Sequence, residues 1–196
     1  GLSQADLTKY ATIIHSEAIR LTRLLDDLLD LSVLENGQVS LNLQRGVLRD
    51  VISQALDATG VQGNGLTVVR AEVLEDVSIE SDLDRLAQVF INLIANAQKY
   101  CDADAPRLAI RVANRDGYLV VDFVDNGSGI PSEAQALIFE KFSRVSDNKR
   151  AGGAGLGLAI CREIMIRLGG AITYLPGQGG AAFRVSLPMK NAKAAE

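Results

Sequence analysis

A glycine-rich stretch, Ala-Gly-Gly-Ala-Gly-Leu-Gly-Leu at residues 151–158, leads directly into an apolar segment with helical spacing that ends at Gly169-Gly170. A glycine loop that opens a helix is suited to phosphate, because backbone amides can approach an anion closely and the first turn offers unpaired donors. The stretch is not a P-loop, since no Lys follows its glycines. It is not a dinucleotide-binding loop, since no strand precedes it and Leu158 occupies the third glycine position. Alone, it is equally compatible with a flexible linker.

Composition excludes several classes of protein. The chain has 196 residues, 47% of them apolar, which suffices for one domain with an appendage and a sizeable core. Its net charge of −4 predicts neither a nucleic-acid nor an anionic-membrane partner. No apolar run approaches the roughly 18 residues that cross a bilayer, so we expect a cytoplasmic chain without membrane contact. Cys101 and Cys161 lack metal-ligand spacing and are typical of reduced, buried thiols.

The N-terminal region predicts one long helix. Apolar residues recur at steps of three, four and seven over residues 2–35, a length of roughly 50 Å in a helix. The chain offers no second long helix to cover this stripe, so we expect one arm of a helical bundle that forms a homodimer. Asp26, Asp27 and Asp30 lie on the other side and are predicted to be solvated.

The remaining sequence predicts a compact unit of strands and helices. Strands are expected over residues 39–43, 66–72, 77–80, 107–113, 118–124, 171–175 and 181–187, with helices over 47–58 and 82–100. Two hairpins, turning over residues 114–117 and 176–180, argue against an all-parallel sheet. We therefore predict an α+β fold, with a mixed sheet and helices packed on one face. Ser81 is the expected N-cap of the second long helix.

That helix carries the first candidate site. Asn92, Asn96 and Lys99 lie on one helical face, although asparagine is a mediocre helix former. Amide oxygens suit Mg²⁺, which keeps several waters and is otherwise held by phosphates, and a lysine can supply a point charge to a phosphate. The alternative is that both asparagines are simply capped or exposed.

Two further stretches are candidates. Asp125-Asn-Gly-Ser-Gly-Ile-Pro131 follows a strand, and a carboxylate there could accept a hydrogen bond from an exocyclic amine such as that of adenine. The alternative is an ordinary turn containing an acid. Phe139 and Phe142 precede a polar, glycine-flanked segment and could anchor a mobile lid, or simply pack in the core.

In this order the stretches resemble the boxes of the ATP-binding catalytic domain of two-component sensor histidine kinases. The matching segments are the asparagine box at 92–100, glycine boxes at 125–131, 153–158 and more loosely 177–183, and the phenylalanine box at 139–142. The resemblance runs from about residue 7 to 188. It implies the two-layer α/β sandwich of histidine kinases, gyrase-type topoisomerases and heat-shock ATPases. Residues 1–36 would be the second helix of the dimerisation and phosphotransfer hairpin, 37–190 the catalytic domain and 191–196 a frayed tail.

The resemblance also implies a site for ATP and Mg²⁺. Its residues, carried over one by one, are Asn92 and Asn96 for Mg²⁺ and phosphates, Lys99 for phosphate, Asp125 for the adenine amino group, Tyr100, Gly127, Gly129 and Ile130 for the nucleotide pocket, and Gly153, Gly155, Leu156, Gly157 and Leu158 around the phosphates. Asn92, Asn96 and Lys99 would be the catalytic set, and residues 139–153 the lid. Ala154 stands where the family commonly has Ser or Thr, so one hydroxyl near the phosphates is missing.

The implied activity is transfer of the ATP γ-phosphate to a histidine on a helix missing from this chain, and then to an aspartate of a response regulator. His15 is the sole histidine, but Ser-Glu-Ala-Ile-Arg follows it rather than the family's Glu/Asp-Leu-Arg-x-Pro-Leu. Hydrolysing relatives carry Glu where this chain has Asn92, and an amide cannot accept a proton from water. The parent proteins are often membrane-anchored. A serine-kinase or hydrolysing module of the same superfamily, or a non-enzymatic dimerisation scaffold, remains an alternative.

Overall fold

A computed structural model describes residues 3–37, 40–61, 65–70, 76–143 and 154–189. The elements, in chain order, are α1 (Gln4–Glu35), β1 (Gln44–Val47), α2 (Leu48–Thr59), β2 (Thr67–Arg70), β3 (Ser78–Ser81), α3 (Leu83–Tyr100), β4 (Arg107–Arg115), β5 (Tyr118–Asp125), α4 (Ser132–Gln135), α5 (Gly157–Arg167), β6 (Ala171–Tyr174) and β7 (Ala182–Pro188).

The main sheet has five strands in the order β2-β4-β5-β7-β6. β2 runs parallel to β4, whereas all other neighbours are antiparallel, which confirms the mixed sheet. β1 and β3 form a separate antiparallel two-stranded sheet. The β4–β5 hairpin turns on Asp116 and Gly117 alone, both with positive φ, so its loop is two residues shorter than predicted.

The core lies on one face of this sheet. Leu119, Val121 and Phe123 alternate along β5, are almost fully buried, and share the hydrophobic core with residues of α2, α3 and α5. Phe90 of α3 packs on Phe123 with ring centroids 5.1 Å apart. The fold therefore has the predicted α+β architecture, with the long helix α1 preceding it.

Two local predictions are wrong. Residues 40–43 of the expected first strand form no strand, because the Asn42 amide donates to the Asp82 carboxylate at 3.0 Å instead of to a neighbouring strand. Residue 39 lies outside the described part. The N-cap of α3 is Asp82 rather than Ser81, and its carboxylate accepts from the Arg85 amide at 3.1 Å.

The last turns of α1 pack against the rest of the chain and form hydrogen bonds with it. Leu31 and Leu34 are buried, whereas most of the helix before them is exposed. Asp30 was predicted to be solvated, but it accepts hydrogen bonds from Arg85 and Gln88, both at 2.7 Å. The prediction failed for this aspartate because its partners lie on α3, 55 and 58 positions further along the chain.

The C-terminal end of α1 also contacts α5 and the start of the expected lid. Arg167 of α5 donates to the Leu34 carbonyl at 2.7 Å and the Glu35 carbonyl at 3.3 Å. A cation is favourable there, since the last carbonyls of a helix carry its negative dipole end. Lys141 lies 2.6 Å from the Glu35 carboxylate. These contacts hold the end of α1 beside the elements that carry the candidate site.

The two cysteines should differ sharply in reactivity. Cys161 has no exposed surface, and burial raises the pKa of its thiol to about 12, whereas Cys101 is partly exposed. Iodoacetamide at pH 8 is therefore expected to add one group to the native chain and two in denaturant, as read by intact mass. A Cys101→Ser variant is the control and should take up none while folded. Two adducts on the native protein would contradict the burial of Cys161.

Candidate functional site

The polar face of α3 contacts the start of α5. Asn92 is half-buried and its amide donates to the Gly157 carbonyl at 3.4 Å. Asn96 is half-buried as well, and no hydrogen bond joins its side chain to either glycine stretch among the described residues. Lys99 is exposed, with its ammonium 4.7 Å from the centre of the Tyr100 ring. The structure thus brings Asn92 against the second glycine box, while Asn96 and Lys99 remain accessible beside it.

Asp125, at the end of β5, is the best-positioned carboxylate. Its side chain is buried, and its Oδ1 atom accepts from the Gly127 and Ala181 amides, both at 2.9 Å. Within the residues that the structure describes, Oδ2 has no hydrogen-bond partner. One oxygen therefore fixes the carboxylate, and the other can accept a hydrogen bond from a ligand amine.

The turn after Asp125 is tied to the segment that follows α3. The Ser128 amide donates to Asp102 Oδ1 at 2.7 Å, and this bond lowers the pKa of the Asp102 carboxyl. Asn126 accepts from the Arg107 amide at 2.7 Å and donates to the Ala105 carbonyl at 3.0 Å. The Asp102 contact was missed in the sequence, because it joins two irregular segments 26 positions apart and leaves no periodic signal.

The second glycine box combines a close backbone approach with an uncapped helix start. Gly155 has a φ of +72°, and a Cβ there would lie 2.6 Å from the Ser143 carbonyl oxygen. Leu156 is buried, Leu158 is half-buried, and α5 begins at Gly157 with no side-chain cap on its first amides. The helix therefore presents unpaired donors at its positive end. Gly153 and residues 144–152 of the expected lid lie outside the described part of the chain.

The two phenylalanines at the start of the expected lid differ in role. Phe139 is half-buried and packs edge-on against Phe183, with ring centroids 6.3 Å apart. Phe142 is 58% exposed and has a φ of +61°, which is unusual for a bulky residue. Core packing therefore accounts for Phe139, whereas Phe142 lies at the surface, with its backbone next to Gly155.

Gly180 is a residue of the site that sequence reasoning did not single out. A Cβ at this position would collide with the Asp125 carbonyl oxygen and lie 2.7 Å from its Oδ1 atom. Gly180 lies in the looser third glycine box of the sequence. Only the folded chain shows that the absence of a Cβ at this position makes space for Asp125.

Replacing Gly180 by alanine should therefore displace Asp125. We expect the free energy of unfolding to fall by about 2 kcal/mol, the cost of overpacking, and the binding of a ligand amine by Asp125 to weaken with it. Urea denaturation and calorimetric titration measure the two effects. Gly179→Ala is the control: it meets open space at a φ of +82°, so only backbone strain of about 1 kcal/mol is expected. Equal effects of the two substitutions would show that contact with Asp125 is unimportant.

A cavity of about 460 Å³ lies between α1 and the second glycine box. Its walls among the described residues are Ser16, Glu17, Ile19, Arg20, Leu21, Arg23, Leu24, Asp27 and Ala154. Burial, with Asp30 and Asp26 nearby, raises the pKa of the Asp27 carboxyl. Among the described residues, the middle of α1 therefore faces Ala154 across this cavity.

Comparison with known proteins agrees with this geometry. The chain belongs to the histidine kinase-, DNA gyrase B- and HSP90-like ATPase family, whose pattern matches residues 81–191. It is 34% identical over 187 residues to the sensor protein KdpD of Escherichia coli, covering 94% of this chain and 20% of KdpD. It is 35% identical over 181 residues to the probable sensor histidine kinase TcrY of Mycobacterium tuberculosis, covering 90% of this chain and 37% of TcrY.

Solved structures of histidine kinases share the fold. Acinetobacter baumannii AdeS has a TM-score of 0.74 at 26% identity, over 97% of this chain and 87% of that one. Full-length ShkA, solved in complex with AMPPNP, has a TM-score of 0.78 at 26% identity, over 96% of this chain and 40% of ShkA. ThkA, solved with the response regulator TrrA, has a TM-score of 0.76 at 25% identity, over 99% of this chain and 55% of ThkA.

The curated relatives are longer than this chain. It spans 20% of KdpD and 47% of the Enterococcus faecium sensor protein VanS. None of the helices in the described residues is both long enough and apolar enough to cross a membrane. The likeness thus covers α1 and the α+β unit that follows it.

Proposed function

We propose that this chain is the ATP-binding catalytic unit of a sensor histidine kinase, which transfers the γ-phosphate of ATP to a histidine that lies outside the chain. The observation that carries the proposal is the Asp125 carboxylate, held by two backbone amides at 2.9 Å with one oxygen left for an amine. The uncapped start of α5 supplies donors for the phosphates of the same nucleotide. Base and phosphates are thereby assigned to two ends of one site along α3.

Mg²⁺ fits the donor set. No group of three or more His, Cys, Asp or Glu side chains in the described part of the chain could hold a metal by itself. The amide oxygens of Asn92 and Asn96 are suitable ligands for an ion that keeps waters and is held mainly by substrate phosphates. The ion would neutralise charge on the transferred phosphoryl group, while Lys99 supplies a further positive charge from the same helix face.

Transfer is favoured over hydrolysis by Asn92. Its amide donates to the Gly157 carbonyl, so the side chain holds α3 against the phosphate loop. It cannot take a proton from water, and we therefore expect slow phosphate release. The hydrolysing alternative requires another base near the phosphates.

The decisive experiment uses γ-labelled Mg-ATP and follows both acid-labile label on protein and free phosphate, with nucleotide binding measured in the same sample. The chain alone should bind ATP, release little phosphate and remain unlabelled. Addition of a helical hairpin carrying the His-Glu/Asp-Leu-Arg-x-Pro-Leu segment should place acid-labile label on that histidine. His15→Ala belongs in the series, because its neighbour Ser16 lines the cavity beside Ala154.

Each of the other outcomes of this experiment would support a different function. Label on the isolated chain that disappears in His15→Ala would make His15 the acceptor. Rapid phosphate release without label would assign the chain to the hydrolysing ATPases. Failure to bind ATP would favour the non-enzymatic scaffold.

We also propose that α1 forms a homodimer and that a response regulator is the downstream partner. Large apolar side chains of α1 are exposed over its length: Leu7 49%, Ile14 69%, Leu21 58%, Leu25 59% and Leu29 64%. Such a stripe is a site of protein association. The complex of ThkA with TrrA supports the regulator as partner. Sedimentation of the chain and of a Leu21→Glu/Leu25→Glu variant should separate dimer from monomer, and two monomers would contradict the dimer.

A further inference from the structure

Tyr174 contacts the turn that follows Asp125, although no motif includes it. It ends the edge strand β6, and its hydroxyl oxygen accepts from the Ile130 amide at 3.2 Å. A Cβ built on Gly129 would lie 3.6 Å from the same oxygen. The hydroxyl therefore lies against the Gly129-Ile130 part of the turn.

The tyrosine ring is held in place by aromatic neighbours. Tyr174 is the cross-strand partner of Phe183, and the two rings meet at 65° with centroids 5.7 Å apart. Phe183 in turn packs edge-on against Phe139. Because the ring is half-buried between packed groups, its hydroxyl is a fixed acceptor rather than a mobile surface group.

Three amides of the turn donate to three side chains from different elements. The Gly127 amide donates to Asp125, the Ser128 amide to Asp102 and the Ile130 amide to Tyr174. Asp102 and Asp125 fix the first half of the turn. The Tyr174 hydroxyl is the side-chain acceptor for its second half within the described residues, so its loss should let that half move relative to the Asp125 carboxylate.

We propose that Tyr174 is a positioning residue of the base-binding turn, which sets the preference for a purine whose exocyclic amine donates to Asp125. This inference rests on the proposed function, since it assigns the base to Asp125. Tyr174 acts through the backbone of the turn and not by contact with the transferred phosphate. Its effect should therefore appear in discrimination between bases.

The test compares Tyr174→Phe with the wild-type chain for binding of ATP and of inosine triphosphate, which lacks the 6-amino group. Loss of the hydroxyl while the ring is kept should weaken ATP binding about 5-fold, the scale of one hydrogen bond, and change inosine triphosphate binding little. The preference for ATP therefore falls. Tyr118→Phe is the matched control, because Tyr118 is exposed at the start of β5 and should leave both affinities unchanged.

An unchanged ratio of the two affinities in Tyr174→Phe would overturn the inference, whether or not both affinities fall together. The thermal midpoint is measured alongside, since a purely structural role lowers it and weakens both nucleotides equally. If wild type binds ATP in preference to inosine triphosphate while Tyr174→Phe retains that preference, only the role of Tyr174 is refuted. If wild type binds neither nucleotide, the proposed function fails first and the inference fails with it.

Discussion

Replacing Asp125 by asparagine is expected to weaken ATP binding at least about 100-fold while leaving the fold intact. The Gly127 and Ala181 amides both need an acceptor, so the asparagine oxygen should take the place of Oδ1. The amide nitrogen then occupies the place of Oδ2 and, in the proposed binding mode, faces the adenine amine, donor against donor. Loss of a charge-assisted bond and an unsatisfied donor together account for about 2–3 kcal/mol.

Calorimetric titration with ATP measures this loss, and urea denaturation checks the fold. Asp116→Asn is the matched control: it is the same substitution in the turn that precedes β5, at a φ of +51° that asparagine tolerates. Wild-type affinity in Asp125→Asn would show that the base binds elsewhere. Unfolding of this variant would instead show that the carboxylate charge is needed to hold the turn.

Replacing Phe90 by alanine is expected to lower the free energy of unfolding by about 3–5 kcal/mol. Phe90 is completely buried between α3 and the sheet, with its ring against Phe123. A cavity at this position removes contacts from both layers, and a domain of ordinary stability retains little beyond such a loss. The variant should also lose the site, since α3 carries Asn92 and Asn96.

Chemical denaturation followed by circular dichroism measures this effect. Phe142→Ala is the control, because Phe142 is 58% exposed. At its positive φ, phenylalanine and alanine are both disfavoured, so the substitution changes the backbone strain little. A change within about 1 kcal/mol is expected there. A small loss in Phe90→Ala, comparable with that of Phe142→Ala, would mean that the layers repack around position 90.

Much of the fold could be predicted because its signals are local. The apolar period of α3 places Phe90 in the core and Asn92 and Asn96 on the polar face, and both properties depend only on spacing within one helix. The two hairpins and the parallel β2–β4 pair agree with the mixed sheet expected from turns and strand spacing. The strand expected at residues 39–43 is absent over the described residues 40–43, because an aspartate from another segment accepts from the Asn42 amide.

The sequence by itself determined the order of the boxes, the identity of Asn92 as an amide and the glycine loop that opens α5. These properties reside in short segments whose chemistry does not depend on distant residues. Only the tertiary structure decided what supports them: Asp102 on the Ser128 amide, Tyr174 on the Ile130 amide, and Asp30 on Arg85. Those pairs are 26, 44 and 55 positions apart, and nothing in spacing or propensity specifies which segments meet once the two layers pack.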